Sequence, residues 1–199
     1  MEKALILASG SPTKAGMLAA AGVAVEVVPP RIDEAEVKAA LLAEQAPPRD
    51  VADALAELKA MRVSRRRPGA YVIGADQVLA LDGDLLDKPR DLDEARRQLE
   101  RMRGRRHMLL SAAVVALDGR PIWRHVGQAR LVMRAFSDSF LDDYIARHGD
   151  ELLETVGAYK LEAGGAELFD RLEGDHFTIL GLPLLELLAF LRLHGVCPT

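Results

Sequence analysis

The sequence is poor in the features that mark several protein classes. One of its 199 residues is a cysteine, Cys197, which excludes an intramolecular disulfide and a cysteine-based metal cluster. Aromatic residues make up 5% and the net charge is −4, which argues against a nucleic-acid-binding protein. The apolar stretch at residues 4–8 is too short for a signal-peptide core, and the one at residues 177–193 carries two charges and is expected to be a core helix. We therefore expect a cytoplasmic protein with no membrane and no nucleic-acid partner.

Long catalytic signatures are missing as well. The five histidines do not have metal-ligand spacing such as His-Glu-x-x-His. There is no Walker-type loop, no dinucleotide-binding glycine fingerprint and no Gly-x-Ser-x-Gly elbow. Function is therefore to be sought in small polar clusters at the ends of predicted strands.

The first such cluster follows the strand predicted at residues 4–8. Ser9 and Ser11 lie in a turn of small residues, and Pro12 stands where the next helix should begin. The first amides of a helix attract anions, and Lys14 adds a positive charge one turn in. The pattern indicates a phosphate site, while the alternative is that Ser11 only caps the helix.

The remaining apolar periodicity predicts a mixed α/β sheet with flanking helices, in a single domain over residues 1–199. Helices are predicted at residues 35–44, 51–66, 91–103, 137–148 and 183–193. Strands are predicted at residues 23–28, 71–75, 78–81, 108–117 and 122–133. Asp50 and Ser137 are candidate helix caps, and Asp82-Gly83 and Asp118-Gly119 are expected to form tight hairpin turns.

Asp76 follows two small residues, Gly74 and Ala75, at the expected end of the strand at residues 71–75. Ligands bind beyond the carboxyl ends of strands in open α/β sheets. A carboxylate there can hold a divalent cation or activate water. The alternative is an aspartate that caps a turn.

Three further charged residues are candidates. Glu34 follows the exit of the second strand, where it could face a site or simply favour a helix N-terminus. Lys59 could turn inward from its helix or stay in solvent. Lys88 precedes Pro89, which stiffens the chain and would direct the ammonium group towards a phosphate.

Glu162 lies two residues after Lys160 on what is expected to be a short extended segment. A carboxylate can accept hydrogen bonds from the amine and ring N–H groups of a nucleobase edge. The alternative is a surface ion pair between Lys160 and Glu162.

Taken together, these segments resemble the Maf family of nucleoside triphosphate pyrophosphatases, and the resemblance covers nearly the whole chain. It is carried by Leu7-Ala-Ser-Gly-Ser-Pro12, Ile32-Asp-Glu34, Leu55-Ala-Glu-Leu-Lys-Ala60, Ile73-Gly-Ala-Asp-Gln77, Asp87-Lys-Pro89, Gly157-Ala-Tyr159, Leu172-Glu-Gly-Asp175 and Leu180-Gly-Leu-Pro-Leu184.

The resemblance implies a two-lobed mixed α/β fold around a nucleotide cleft, usually in a homodimer. It implies hydrolysis of a nucleoside triphosphate to the monophosphate and pyrophosphate with a divalent metal, Mg²⁺ or Mn²⁺. By the same resemblance, Asp76 is the general base or a metal-associated acid, and Glu34 is a second acid near the metal. Lys59 and Lys88 are phosphate-side cations. The phosphate cradle then consists of Ser9, Ser11 and Lys14. A different interpretation is a nucleotide-binding regulator of cell division with little turnover.

Base specificity in this family is associated with the positions that are Thr13, Gln77 and Glu162 here. Gln77 and Glu162 make the chain most similar to the branch acting on 7-methyl-GTP, whereas the dTTP/UTP branch has a threonine and a glutamine in their places. Thr13-Lys14 replaces a common Arg-Arg, and Ser111-Ala112 replaces a common Thr-Gly. Another base, or another modified nucleotide, is therefore the alternative to 7-methyl-GTP.

Overall fold

The computed structural model describes residues 4–197, which form seven strands and seven α-helices. The strands are β1 (Leu5–Ala8), β2 (Glu26–Val27), β3 (Tyr71–Leu81), β4 (Asp84–Leu86), β5 (Arg106–Leu117), β6 (Arg120–Met133) and β7 (Phe169–Glu173). The helices are α1 (Pro12–Ala20), α2 (Glu34–Ala43), α3 (Pro48–Ser64), α4 (Leu92–Met102), α5 (Asp138–His148), α6 (His176–Ile179) and α7 (Leu184–Leu193). Short 3₁₀ turns at Gly149–Glu154, Leu161–Ala163 and Gly165–Leu168 connect α5 to β7.

The strands have the order β2-β1-β3-β5-β6-β7, and β4 pairs with β3 outside this path. Strand β1 is parallel to β2 and β3, whereas β4 is antiparallel to β3 and β7 is antiparallel to β6. The predicted mixed α/β sheet is confirmed. Both predicted hairpin turns also form, with positive φ at Asp82, Gly83, Asp118 and Gly119 as a two-residue turn of this kind requires.

The chain divides into two compact units. The first comprises residues 4–77, 110–127 and 176–197, and the second comprises residues 78–109 and 128–175. No helix in the described part of the chain is long and apolar enough to cross a membrane.

Strand alternation organises the first unit. Leu5 and Leu7 of β1 and Ile73 of β3 pack in one apolar cluster with residues of α1 and α7. Ile6 and Ala8, with Val72 of β3, pack in a second cluster with Val63 of α3. Because successive side chains of a strand point to opposite faces, odd and even positions of β3 serve different layers.

In the second unit, helix α4 follows its N-cap Asp91, whose side chain accepts a hydrogen bond from the Glu94 amide at 2.7 Å. Its apolar positions Ala95, Leu99 and Met102 are fully buried. Helix α5 begins after Ser137, which caps it as predicted by accepting from the Phe140 amide. Helix capping thus follows from local sequence in both elements.

Three predicted elements were wrong in extent. The second strand is two residues long instead of residues 23–28. Residues 71–81 form one continuous strand, because its second half pairs with β4 from Leu79↔Leu86 to Leu81↔Asp84. The apolar stretch at residues 177–193 is not one core helix, because the chain breaks between α6 and α7, where Gly181 has a φ of +104° and Pro183 follows. The helix predicted at residues 183–193 is confirmed as α7.

Two local assignments were wrong as well. Helix α3 begins at Pro48 after Pro47, so Asp50 lies inside the first turn and is not the cap. Around Glu162 the chain forms a 3₁₀ turn instead of an extended segment, because the Lys160 carbonyl accepts from the amides of Ala163 at 3.1 Å and Gly165 at 2.8 Å.

Candidate functional site

The turn between β1 and α1 is shaped by its two serines. Ser9 is buried, and its hydroxyl accepts a hydrogen bond from the Ser11 amide at 3.2 Å. Ser11 caps α1, accepting from the Lys14 amide at 3.5 Å, and Pro12 occupies the first turn. The capping role of Ser11 is therefore present, and the same geometry places the helix N-terminus beside both hydroxyls, where an anion is favoured.

A cluster of three charges, two of them buried, lies on the α3 side of β3. The Lys59 Nζ donates to Asp76 Oδ1 at 2.6 Å and lies 2.8 Å from Glu34 Oε2. The side chains of Lys59 and Asp76 are 9% and 11% exposed, while that of Glu34 is 47% exposed. One ammonium group thus holds two carboxylates, one buried and one facing solvent.

The cluster follows from the packing of α3 on β3. A Cβ at Gly74 would lie 2.1 Å from the Ala56 carbonyl oxygen and 2.5 Å from the Ala60 nitrogen, so only glycine permits this close approach. Asp76 is two residues further along the strand, on the same face as Gly74. Lys59, from the same stretch of α3, therefore reaches the Asp76 carboxylate. The turn-cap alternative for Asp76 was wrong, since the residue lies within a continuous strand.

Helix α2 supplies the second carboxylate through its N-terminus. Asp33 is the N-cap of α2 and accepts a hydrogen bond from the Glu36 amide at 3.1 Å. Its carboxylate therefore has a structural role in starting the helix. Glu34 is the first residue of the helix and its side chain reaches Lys59. The two adjacent acids therefore have different roles.

The pKa values of the pair show how burial and charge compete. Burial would lower the pKa of Lys59, but the carboxylates of Asp76 and Glu34 outweigh it and raise that pKa, so the ammonium stays charged. Burial raises the pKa of Asp76, against the opposing effect of the Lys59 and Lys14 ammonium groups. Asp76 is thus a stronger base than a carboxylate in water.

Gln77 lies on the opposite face of β3 from Asp76. Its side-chain amide nitrogen donates to the Ser111 hydroxyl and to the Ile179 carbonyl, both at 3.0 Å. At Gly181 a Cβ would lie 3.6 Å from both Gln77 Oε1 and Lys14 Nζ, so these two polar groups border the same small space. Gln77 therefore offers an oxygen acceptor there, because its nitrogen is engaged within the protein.

In the second unit, Lys88 and Glu162 are both exposed. Lys88 follows Asp87, whose carbonyl accepts from Gln98 of α4 at 3.0 Å. The Glu154 carboxylate bonds to Lys160, and the positive charges of Lys160 and Lys88 both lower its pKa. The alternative for Glu162, a surface ion pair with Lys160, is absent from the ion pairs of residues 4–197, since Lys160 bonds to Glu154 instead.

The family described as Maf-like protein matches residues 4–194 of the chain. The chain belongs to the Maf family. It is 57% identical over 195 residues to a nucleoside triphosphate pyrophosphatase of Ruegeria pomeroyi, covering 98% of each chain. It is 60% identical over 189 residues to a protein of the same name from Caulobacter vibrioides, covering 95% of this chain and 94% of the relative. A 7-methyl-GTP pyrophosphatase of Mesorhizobium japonicum is 49% identical over 195 residues, with 98% of each chain covered.

In this Maf-family chain the predicted site residues fall in both units. Eight lie in the first unit, namely Ser9, Ser11, Thr13, Lys14, Glu34, Lys59, Asp76 and Gln77. Lys88 and Glu162 lie in the second. The structure joins Lys59, Asp76 and Glu34 by direct contacts, and it places Lys14 close enough to affect the pKa of Asp76.

Lys160 and Glu154 were not among the predicted site residues of this Maf-family chain. They are six residues apart and their contact depends on the turns between α5 and β7, so no helix or strand period signals it.

Asp76 and Glu34 are the residues that could hold a divalent cation in this Maf-family chain. Residues 4–197 contain no group of three or more histidine, cysteine or acidic side chains arranged for a metal ion. Mg²⁺, however, is commonly held by one or two carboxylates together with water and substrate phosphates. Two carboxylates already converge on the Lys59 ammonium, so the donor set fits such an ion.

Proposed function

We propose that this chain hydrolyses a nucleoside triphosphate to the nucleoside monophosphate and pyrophosphate. Support comes from its membership of the Maf family and from relatives named nucleoside triphosphate pyrophosphatase at 57% and 60% identity over nearly their whole length. The observation that carries the proposal is the buried Asp76 carboxylate, held by Lys59 beside Glu34. Water and the triphosphate are the two reactants, and the bond that breaks joins the α-phosphorus to the oxygen that leaves with pyrophosphate.

Asp76 accepts the proton of the attacking water in this proposal. Its Oδ1 is bonded to Lys59, which fixes the orientation of the carboxylate and leaves Oδ2 to take the proton. Burial, by raising the pKa of Asp76, makes it a better proton acceptor than an exposed carboxylate. An enzyme needs such a base, whereas a protein that only binds nucleotides does not.

The divalent metal, Mg²⁺ or Mn²⁺, belongs to the same proposal, with Asp76 and Glu34 as its protein ligands. When bound, it neutralises phosphate charge in the transition state. Lys59 holds both carboxylates in place for that role, because its own pKa is raised and the ammonium remains charged.

The turn at Ser9 and Ser11 is proposed to hold phosphate oxygens, with Lys14 as a nearby cation. A helix N-terminus provides unsatisfied amides and a positive potential, and the two serine hydroxyls lie beside it. Lys88 and Lys59 are two further cations proposed to face the phosphates, and this role follows from the family resemblance. Positioning and charge neutralisation of this kind account for most of the catalysis in phosphoryl transfer.

We propose a 7-methylguanine-type base as the preferred substrate base, with Thr13, Gln77 and Glu162 as the residues that contact it. A carboxylate at Glu162 accepts from the ring N–H and exocyclic amine of a guanine edge, and Gln77 offers its carbonyl oxygen. The relative from Mesorhizobium japonicum named 7-methyl-GTP pyrophosphatase supports this choice at 49% identity.

The remaining parts of the proposal concern the oligomeric state, the cellular compartment and the absence of a nucleic-acid partner. Two leucines of α7, Leu185 and Leu193, are 55% and 87% exposed, which supports a homodimer that covers them. The single cysteine suits the reducing cytoplasm. The net charge of −4 supports the absence of a nucleic-acid partner.

Pyrophosphate release from dTTP, UTP, CTP, GTP, ITP and 7-methyl-GTP, with Mg²⁺ or Mn²⁺, tests the proposal. We expect release that needs the metal and is fastest with 7-methyl-GTP. Binding without release from any member of the panel would overturn the reaction and favour a regulator. In the same assay, Glu162→Gln should shift preference towards the pyrimidine triphosphates, and an unchanged ranking would remove Glu162 from base selection.

A further inference from the structure

A buried histidine in the second unit has no part in the reaction proposed above. His107 of β5 is 1% exposed, and its Nε2 is joined to the Tyr159 hydroxyl by a hydrogen bond of 2.8 Å. The rings of His107, Tyr159 and Phe169 pack together, with Tyr159 edge-on to Phe169 at a centroid distance of 4.9 Å. The hydrogen bond therefore lies inside an aromatic core, closed to water.

The backbone before Tyr159 is held in an uncommon conformation. Gly157 has a φ of +81° and Ala158 a φ of +57°, and Ala158 is fully buried. A non-glycine residue at positive φ carries strain, which the surrounding contacts must offset. A Cβ at Gly157 would lie 2.9 Å from the Tyr159 ring, so the ring packs directly on this backbone. The position of Tyr159 and the path of residues 157–159 thus depend on each other.

The chain that follows Tyr159 is tied closely to it. The Thr155 hydroxyl donates to the Tyr159 carbonyl at 2.8 Å, and the Lys160 carbonyl accepts from the Gly165 amide at 2.8 Å. A Cβ at Gly165 would lie 2.4 Å from that same Lys160 carbonyl oxygen. The turn over residues 161–164, which exposes Glu162, is therefore short and closed at both ends, and it begins two residues from the buried tyrosine.

We propose that His107 is a positioning residue for substrate selection, because its hydrogen bond to Tyr159 holds the segment that presents Glu162. The inference rests on the proposed reaction, since discrimination between bases can be measured only where turnover occurs. Tyr159 transmits the effect, because its hydroxyl bonds to the buried histidine and its ring packs on the strained backbone before the turn. His107 acts only through Tyr159 and does not contact the substrate.

Two buried tyrosines in the same unit allow a matched test. Tyr159→Phe removes the hydroxyl that His107 binds. Tyr144→Phe removes a hydroxyl that has no hydrogen-bond partner among residues 4–197. In Tyr159→Phe we expect KM for the best triphosphate to rise and the kcat/KM ratio between the best and second-best triphosphates to fall about fivefold, as for loss of one buried hydrogen bond. The kcat for the best substrate should stay close to wild type, and Tyr144→Phe should change neither KM nor the ratio.

A second pair of variants separates positioning from folding. His107→Gln keeps a side chain that can bond to the tyrosine hydroxyl, and it should retain more of the discrimination than His107→Leu, which cannot. Thermal unfolding of each variant reports stability independently. If His107→Gln and His107→Leu lose the same share of the discrimination ratio, or if Tyr159→Phe keeps the wild-type ratio, the positioning role is overturned. If the wild-type protein turns over none of the triphosphates, it is the proposed reaction that fails.

Discussion

Each of the two units contains a buried pair of polar side chains, and the two pairs differ in charge. In the first unit, Lys59 and Asp76 form an ion pair whose side chains are 9% and 11% exposed. In the second, His107 and Tyr159 form a hydrogen bond, and burial lowers the pKa of His107 to about 4, so the histidine is neutral. Burying charge costs far more than burying neutral polar groups. The charged pair, Lys59 and Asp76, is the one that costs more to bury, and it is suited to proton transfer and cation binding. The neutral pair, His107 and Tyr159, is suited to holding the backbone in place.

The largest effect is expected from removing the base in the first unit. Asp76→Asn should lower kcat by about 10²–10⁴-fold, the usual contribution of a general base, while nucleotide binding is largely retained. Pyrophosphate release and equilibrium binding, measured on the same preparation, check this. Asp82→Asn is the control, because Asp82 lies in the exposed turn after β3 and asparagine accepts its positive φ. An Asp76→Asn variant with near-wild-type kcat would remove Asp76 from the chemistry.

The next largest effect concerns stability. Lys59→Met leaves a buried carboxylate without its ammonium partner, and breaking a buried ion pair in this way typically costs about 3–5 kcal/mol. The double variant Lys59→Met with Asp76→Asn removes both charges and should recover part of that loss. Urea unfolding of the wild type and the three variants measures the coupling. If the double variant is destabilised as much as Lys59→Met alone, the proposed ionic interaction between Lys59 and Asp76 is contradicted.

The neutral pair of His107 and Tyr159 should make the free energy of unfolding depend on pH. The unfolded chain protonates His107 near its ordinary pKa of 6.5, whereas the folded chain does so only near 4. The unfolded state therefore binds more protons between these values, and the free energy of unfolding falls as the pH is lowered through this range. The total loss from this group is about 3 kcal/mol, from the size of the pKa change.

Urea unfolding across that pH range measures the loss, and His107→Gln should flatten the dependence. His176→Gln, at an exposed position, should leave it unchanged. An equally steep pH dependence in His107→Gln would assign the effect to another group.

In both units, features that depend on neighbouring residues could be predicted and contacts between distant segments could not. The helix caps Ser11 and Ser137 and both Asp-Gly turns depend on a few neighbouring residues, so they could be predicted. Asp50 was wrongly selected as a cap, because α3 begins earlier, at Pro48. Asp76 and Glu34 could be selected as acids near strand ends or helix starts. Their common contact with Lys59 could not be derived, because it depends on α3 packing against β3 at Gly74.

In the second unit the pair His107 and Tyr159 is separated by 52 positions in sequence. Neither residue follows a local pattern that signals their contact, since each occupies an apolar position of its own segment. The turn around Glu162 was mispredicted for a related reason. Alternation of Lys160 and Glu162 indicates a strand only if the backbone is free to extend, and the hydrogen bonds accepted by the Lys160 carbonyl close it into a 3₁₀ turn.

The smallest expected effect tests whether close packing of α3 on β3 sets the charged pair. Gly74→Ala places a Cβ against the backbone of Ala56 and Ala60, which cannot move away as a side chain could. Overpacking of this kind costs about 1–3 kcal/mol, and α3 must shift away from the strand. Because Lys59 lies between those two contact points in sequence, its distance to Asp76 should increase and kcat should fall together with stability. Gly16→Ala in α1 is the matched control, since a Cβ there meets nothing within 4 Å. A Gly74→Ala variant that loses stability but keeps wild-type kcat would show that the Lys59–Asp76 contact tolerates movement of α3. The charged pair would then depend on exact packing no more than the neutral pair does.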